Sequence, residues 1–246
     1  MKRTSSPTLE HYIRTGSTTA RPIQEAARRN GLALENGGDI LDLGAGVGRQ
    51  LRLMKLEFPN ARISACDVEP SHVRWLQDAY PDIDCAVNRH DQPLDYPAGS
   101  FDLVYSVATF THLAPTQAKF WIAEIERILK PGGIACLSIL GAQENGDFST
   151  WLDADDLRTL DEQGFHHVPY DIAGSRRIAE SRRFLRETEY LSQCGIGYGQ
   201  TFYRRWFVEA EWQSRSLTLA ELRCGEIDGL QDLVVLQKCG KPILQN

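Results

Sequence analysis

Asp39-Ile40-Leu41-Asp42-Leu43-Gly44-Ala45-Gly46-Val47-Gly48-Arg49 is the stretch from which the rest of the chain is read. Ile40, Leu41 and Leu43 make the short apolar run of a buried parallel strand, broken by one acid. Three glycines follow at once, and a helix-like run from Arg49 to Phe58 comes after them. Where a strand turns through glycines into a helix, the backbone passes close under a ligand because no Cβ stands in the way. The spacing is G-x-G-x-G. It differs from the dinucleotide pattern G-x-G-x-x-G, since Arg49 stands where the third glycine would be. The Lys-Ser/Thr pair that closes a phosphate-binding P-loop does not follow either.

Composition narrows the class. At 246 residues the chain suits one α/β domain with a cap, and is short for two independent domains. Hydrophobic residues at 42% and charged residues at 24% are those of a soluble globular protein. A formal charge of −6 argues against a nucleic-acid partner, which demands a basic face. The 6 cysteines are scattered without C-x-x-C spacing, so neither a metal site nor a disulfide framework is expected. The opening Met-Lys-Arg-Thr-Ser-Ser-Pro-Thr has no apolar segment behind its basic residues, as a secretory signal would. No apolar run approaches the ~20 residues that cross a bilayer, so no membrane partner and a cytoplasmic location are expected.

In chain order, Thr8 to Arg14 predicts one or two helical turns, and Arg21-Pro22-Ile23 opens a second helix that Asn30-Gly31 stops. Apolar residues at 51, 53, 54, 56 and 58 fit a helix over Arg49–Phe58 lying on a sheet. A strand over Ala61–Val68 carries Asp67 near its end, roughly 20 residues past the glycines, where an acid accepts both hydroxyls of a ribose. The alternative role for Asp67 is a cap on the next helix, Ser71 to Tyr80. Asp84 to Asn88 reads as a third strand, and Phe101 to Val107 as a strongly apolar fourth. Pro115 to Lys130 is a long amphipathic helix, stopped by Pro131-Gly132-Gly133 before a fifth strand, Ile134 to Leu140. Trp151 to Gln163 is helical and ends at Gly164. Arg215–Leu222 and Gln231–Gln237 close the chain as two strands joined through Cys224–Gly229.

Asp42-Leu43-Gly44-Ala45-Gly46-Val47-Gly48 resembles the first motif of class I S-adenosylmethionine-dependent methyltransferases. Pro97-Ala98-Gly99-Ser100-Phe101-Asp102-Leu103-Val104 is similar to that family's P-x-G-S-F-D pattern, and Thr111-His112-Leu113 and Leu129-Lys130-Pro131-Gly132-Gly133 match further markers. Together they cover residues 39–140. The resemblance implies a doubly wound, mostly parallel seven-stranded α/β sheet with a C-terminal antiparallel hairpin, N-terminal helices and an inserted cap. It divides one domain into a helical segment (1–35), a cofactor-binding core (36–140), a cap over the acceptor (141–210) and closing strands (211–246). S-adenosylmethionine is the cofactor it implies, held by Asp42, Gly44, Ala45, Gly46, Gly48, Asp67, Val68 and Ser106. An acid after the third strand is expected to bind the adenine amino group. Asp91 is one candidate, but alignment on Pro97-x-Gly-Ser-Phe-Asp puts His90 at that place. Tyr12 and Arg14 are the candidates for an N-terminal segment folding over the cofactor, or else belong to a solvated packing helix.

A looser resemblance, in Phe101 to Leu113, Tyr203 to Trp206 and Gln231 to Leu236, is to bacterial methyltransferases of glycan and natural-product pathways. It says little about which atom is methylated; the expected acceptor is a small molecule, with a hydroxyl oxygen of a sugar or natural product as the first choice. N- or C-methylation and a non-catalytic cofactor-binding module are the alternatives. An oxidoreductase on the same topology is opposed by the glycine spacing and the closing hairpin. His112, just past the fourth strand, is the candidate general base with a pKa near ~7, or else a helix-start histidine bonded to backbone, and His166 and His167 are weaker candidates. Arg176, Arg177, Arg182, Arg183 and Arg186 fit either a solvated helix face or, with Tyr198, Tyr203, Arg204, Arg205 and Trp206, the mouth of a site for an anionic acceptor.

Overall fold

Alternation along β1 (Asp39–Leu43) sends Leu41 and Leu43 to one face of a sheet and Ile40 to the other, and both faces are buried. The computed structural model describes residues 8–141, 148, 151–169 and 198–240. β1 pairs in parallel with β2 (Arg62–Asp67) and β4 (Phe101–Ser106), β2 with β3 (Asp84–Val87), and β4 with β5 (Leu129–Ile139). β9 (Gln231–Lys238) then lies antiparallel on β5, and β8 (Leu217–Ile227) antiparallel on β9. The resulting seven-stranded order is β3-β2-β1-β4-β5-β9-β8. One face packs on α1 (Leu9–Arg29), α2 (Leu51–Glu57) and α3 (Pro70–Ala79). The other packs on α4 (Pro115–Ile128) and α6 (Arg205–Glu211). This is a doubly wound, mostly parallel sheet; in such sheets ligands bind outside the carboxyl ends of the strands where the order reverses, which here is beside β1 and β4.

The structure differs from the sequence reading in four places. The two expected N-terminal helices are one, α1, running through Gly16 and Pro22. Ile23, Ala26 and Ala27 bury on the sheet, and that long face outweighs the single hydrogen bond a proline removes. α4 ends at Ile128, and Pro131-Gly132-Gly133 lies within β5 rather than before it. Leu129 already pairs with Phe101, and pairing resumes between Leu103 and Ile134 across a bulge. The expected loop Cys224–Gly229 is mostly strand; the hairpin reverses over Asp228-Gly229-Leu230, with Asp228 and Gly229 left-handed (φ 53° and 70°) and the Leu230 N–H donating to the Ile227 carbonyl (3.1 Å). A second sheet, β6 (Phe165–Pro169) with β7 (Gly199–Tyr203), was not expected. It follows α5 (Ala154–Gln163), whose first turn is capped by Asp153. The Tyr203 N–H donates to the Leu140 carbonyl (2.9 Å) and the Thr201 N–H to that of Thr111 (2.8 Å), seating β7 beside the segment after β4. The arginine run 176–186 lies outside the described residues. Among the described residues no helix is long and apolar enough to cross a membrane.

Candidate functional site

The glycine turn is built by the backbone. The N–H groups of Gly44 and Ala45 both donate to the Cys66 carbonyl (2.9 and 3.0 Å), which ties the turn to β2. Gly44 has φ 80°, and a Cβ there would collide with Thr109 Oγ1. Gly46 has φ 56°, and a Cβ there would meet nothing within 4 Å, so this residue faces open space. Gly48 lies behind them, packed against Leu76 and Tyr80. The Gly46 N–H donates to Asp67 Oδ2 (2.8 Å), while Asp67 Oδ1 accepts from the Glu69 N–H (2.9 Å) and lies 3.2 Å from His72 Nδ1.

Gly44 is shared by two cavities. The smaller, about 50 Å³, is walled by Asp67, Val68, Asn88, His90, Leu113, Trp121 and Tyr198. The larger, about 250 Å³, lies under α1 and the β8–β9 turn. Thr15 and Thr19 of α1, Ala45, Gly46, Arg49 and Gln50 of the glycine turn, and Asp228 and Gln231 of the hairpin all line it. The Arg49 guanidinium also lies 5.4 Å from the Tyr12 ring centroid. Desolvation lowers the Arg49 pKa, against the opposing pull of Tyr12 and Asp228. Ala108, on the same wall, holds φ 57°, a left-handed conformation that a side chain disfavours. Its N–H is fixed by Ser138 Oγ (2.7 Å). Two amide oxygens, Asn88 Oδ1 and Gln231 Oε1, are buried and find no hydrogen-bond partner among the described residues.

Several expected site residues lie elsewhere. Asp42 is 2% exposed and lines neither cavity. It shares the Ile40 face of β1, accepts from Tyr105 Oη (2.8 Å), and burial pushes its carboxyl up to about 7. Ser106 is buried and donates to the Leu43 carbonyl (2.7 Å), joining β4 to β1. Asp91 is exposed, whereas His90 lines the smaller cavity. Arg14 is exposed and 3.3 Å from His11 Nδ1; α1 faces the larger cavity with Thr15 and Thr19 instead.

His112 is partly buried with Nδ1 2.9 Å from the Gly199 carbonyl. A carbonyl only accepts, so the ring proton sits on Nδ1 and Nε2 keeps its lone pair. Burial lowers the ring's pKa to about 4, well under the value near 7 expected of a general base. The Tyr198 ring lies 5.1 Å away. Tyr203 is fully buried, packed on Trp212 (5.2 Å) and Phe207 (6.2 Å), so it cannot border an open mouth. Arg204 pairs with Asp161 (2.6 Å) and Arg205 with Glu209 (2.7 Å). Trp206 covers Gly164, and none of these residues lines either cavity. His166 is 2.9 Å from Asp156, and His167 Nδ1 is 2.7 Å from Thr201 Oγ1.

Thr15, Thr19, Asn88, Ala108 and Gln231 were not singled out by sequence. Gly16 carried a signal for the first two, because a glycine inside a helical run marks a close approach. A Cβ there would sit 3.3 Å from the Arg49 carbonyl oxygen, so α1 rests on the turn itself.

Comparison with known proteins agrees with this geometry. Residues 40–133 match the family model described as methyltransferase domain. A 2-methyl-6-phytyl-1,4-hydroquinone methyltransferase of Synechocystis is 31% identical over 46% of this chain and 35% of its own. A trans-aconitate 2-methyltransferase of Enterobacter is 32% identical over 40% of this chain and 37% of its own. The chain therefore spans little more than a third of these relatives' lengths. An S-adenosylmethionine-dependent methyltransferase from Clostridium acetobutylicum shares the fold, with a TM-score of 0.58 over 92% of both chains at 12% identity. Residues 40–133 are thus similar to methyltransferase domains, and the fold around them is one that S-adenosylmethionine-dependent methyltransferases share.

Proposed function

We propose that this chain transfers a methyl group from S-adenosylmethionine to an oxygen of a small-molecule acceptor. The observation that carries the reading is the Gly44–Gly46 turn set between two cavities, with open space where a Gly46 Cβ would stand and Asp67 beside it. The backbone at Gly44, Ala45 and Gly46 passes under the cofactor, and the free lone pairs of Asp67 accept its ribose hydroxyls. Val68 and His90 flank the adenine, and Gly48 shapes the turn from behind. Asp42 and Ser106 support the strand ends without touching the ligand. Tyr12 holds Arg49 in place. Bound there, the sulfonium supplies an electrophilic methyl group.

The chain's own contribution is to position the acceptor and exclude water, with α1 and the cap as walls. Residues 36–140 are proposed as the cofactor core and 141–210 as the acceptor cap, with Tyr198 its contact point. A neutral His112 of pKa about 4 is a weak base. This favours an acceptor oxygen that ionises unaided, such as an acidic hydroxyl of a sugar acid or natural product, over an ordinary alcohol. The relative named for trans-aconitate acts on an acid, which supports the same choice. The test is incubation of the protein and a cell extract with methyl-labelled S-adenosylmethionine, followed by identification of the labelled product. Label in a carboxylate ester or an ether of an acidic hydroxyl is expected; label on nitrogen or carbon, or none at all, overturns the reading.

A further inference from the structure

Asn88 and Gln231 share an unusual condition: each buries an amide oxygen that accepts from no described residue. A buried carbonyl oxygen without a donor is costly, and such atoms are found where a ligand completes them. Asn88 lines the smaller cavity and Gln231 the larger, and Gly44 lines both. A ligand crossing Gly44 thus meets one unfilled acceptor at each end.

The surroundings define the donors. Around Asn88 stand Val68, Leu113 and Trp121, whose apolar surfaces suit a planar ring, with the polar Asp67, His90 and Thr109 on the same walls; a ring-borne N–H is a group that would fit both. Around Gln231 stand the Asp228 carboxylate and the Arg49 guanidinium. That set offers two acceptors for an ammonium and one cation for a carboxylate, the complement of an amino-acid zwitterion. Both amides are fixed by their backbones. The Asn88 N–H donates to the Asp67 carbonyl (3.1 Å), and Gln231 pairs with Ile227 directly behind the hairpin turn. Neither His90 nor exposed Asp91 is then needed for the adenine amino group.

We propose that Asn88 Oδ1 accepts from the 6-amino group of the cofactor's adenine and Gln231 Oε1 from the α-ammonium of its amino-acid end. This rests on the cofactor reading above. It makes the closing hairpin part of the binding site and gives each end of the cofactor a separate reader.

Calorimetry with three ligands tests it: S-adenosylhomocysteine, its analogue with purine in place of adenine, and 5′-methylthioadenosine, which has no amino-acid end. Wild-type protein is expected to prefer S-adenosylhomocysteine over each of the other two by about tenfold or more, the loss a missing buried hydrogen bond produces. Asn88→Leu should erase the preference over the purine analogue and keep that over 5′-methylthioadenosine; Gln231→Met should reduce the second and keep the first. Asn88→Asp and Gln231→Glu retain an acceptor and should retain both preferences, which separates lost recognition from lost folding. Wild-type binding with both ratios unchanged in the Leu and Met variants overturns this inference alone. No binding of S-adenosylhomocysteine by folded wild-type protein overturns the cofactor reading with it.

Discussion

The glycine turn and the end of the cap offer opposite relations between residue type and ligand. From Gly44 to Gly48 the exposed chemistry is backbone, and the open direction at Gly46 exists because no side chain fills it. From Tyr203 to Trp206 the chain carries the residues usually associated with recognition, two arginines and two aromatics. Three of those side chains are engaged by the protein itself, while Trp206 is 48% exposed. Tyr203 is in the core, Arg204 is held by Asp161 and Arg205 by Glu209. A cluster of charged and aromatic residues has many possible partners within its own fold. Alternate left-handed glycines beneath a strand end have few uses other than close approach.

The contrast breaks first at Gly46. Gly46→Val places a branched side chain at φ 56° and in the open space beside Asp67. Binding of S-adenosylhomocysteine should fall more than about a hundredfold, with strain and occlusion acting together. Calorimetry on a variant shown to be folded decides it; affinity within tenfold of wild type would mean the turn does not pass under the ligand.

Asp67→Ala should have the next largest effect. Loss of charged hydrogen bonds to a ribose weakens binding by about 1.5–3 kcal/mol. The variant should also melt earlier, because the Gly46 and Glu69 N–H groups lose a buried acceptor. Asp67→Asn keeps acceptor capacity on one oxygen and should recover part of both. Unchanged affinity with a lowered melting temperature would leave Asp67 as a brace for the turn only.

His112 should show a smaller effect still. Its ring is already neutral at ordinary pH, so the rate should have no acid limb from this group between about pH 5 and 8. His112→Ala should lower kcat by less than about tenfold, against the 10²–10⁴ typical of a lost general base. Stability follows a sign that can be worked out. The folded pKa, about 4, lies below the unfolded value near ~6.5, so the unfolded chain binds the proton more readily. The contribution is whole above ~6.5 and is lost as pH falls toward 4. Urea unfolding at pH 5 and pH 7 should show a smaller pH dependence in His112→Gln than in wild type; equal slopes would place the ring in solvent.

The same contrast explains what could be read from the sequence. The order of strands from Ile40 to Ile139 was legible because buried strands, their glycine or proline punctuation and the amphipathic helices between them are local patterns. Asp42 lines neither cavity because period-two alternation puts it on the Ile40 face, beside Tyr105. α1 was split in two because Pro22 is a local breaker, while the burial of Ile23, Ala26 and Ala27 that overrides it is tertiary. β6 and β7 are five-residue strands far apart in sequence, and His166-His167 gives no alternation to find. Gln231 was seen as the start of a strand, but its cavity is formed only when the hairpin folds over Gly46.

The smallest effect is expected at Arg204 and Arg205, where the reading of the cap is most open to challenge. Were they the mouth of an anionic acceptor site, neutralising both would raise the acceptor KM steeply, most of all at low salt where attraction is unscreened. In the structure each guanidinium already faces a carboxylate, at 2.6 Å for Asp161 and 2.7 Å for Glu209. Their positive charge is therefore largely cancelled before any acceptor arrives. Arg204→Gln with Arg205→Gln should change acceptor KM by less than about twofold between 0.05 and 0.3 M salt, within the range of screened, paired surface charges. The measurable consequence should be stability, a loss of about 0.5–1.5 kcal/mol for the two pairs together. Most of it should fall on Arg204, whose side chain is only 15% exposed. Asp161→Asn should reproduce the Arg204 part of that loss, since it removes the same pair from the other side. A KM that climbs as salt is withdrawn, with stability untouched, would return these arginines to the acceptor and make the cap resemble the glycine turn after all.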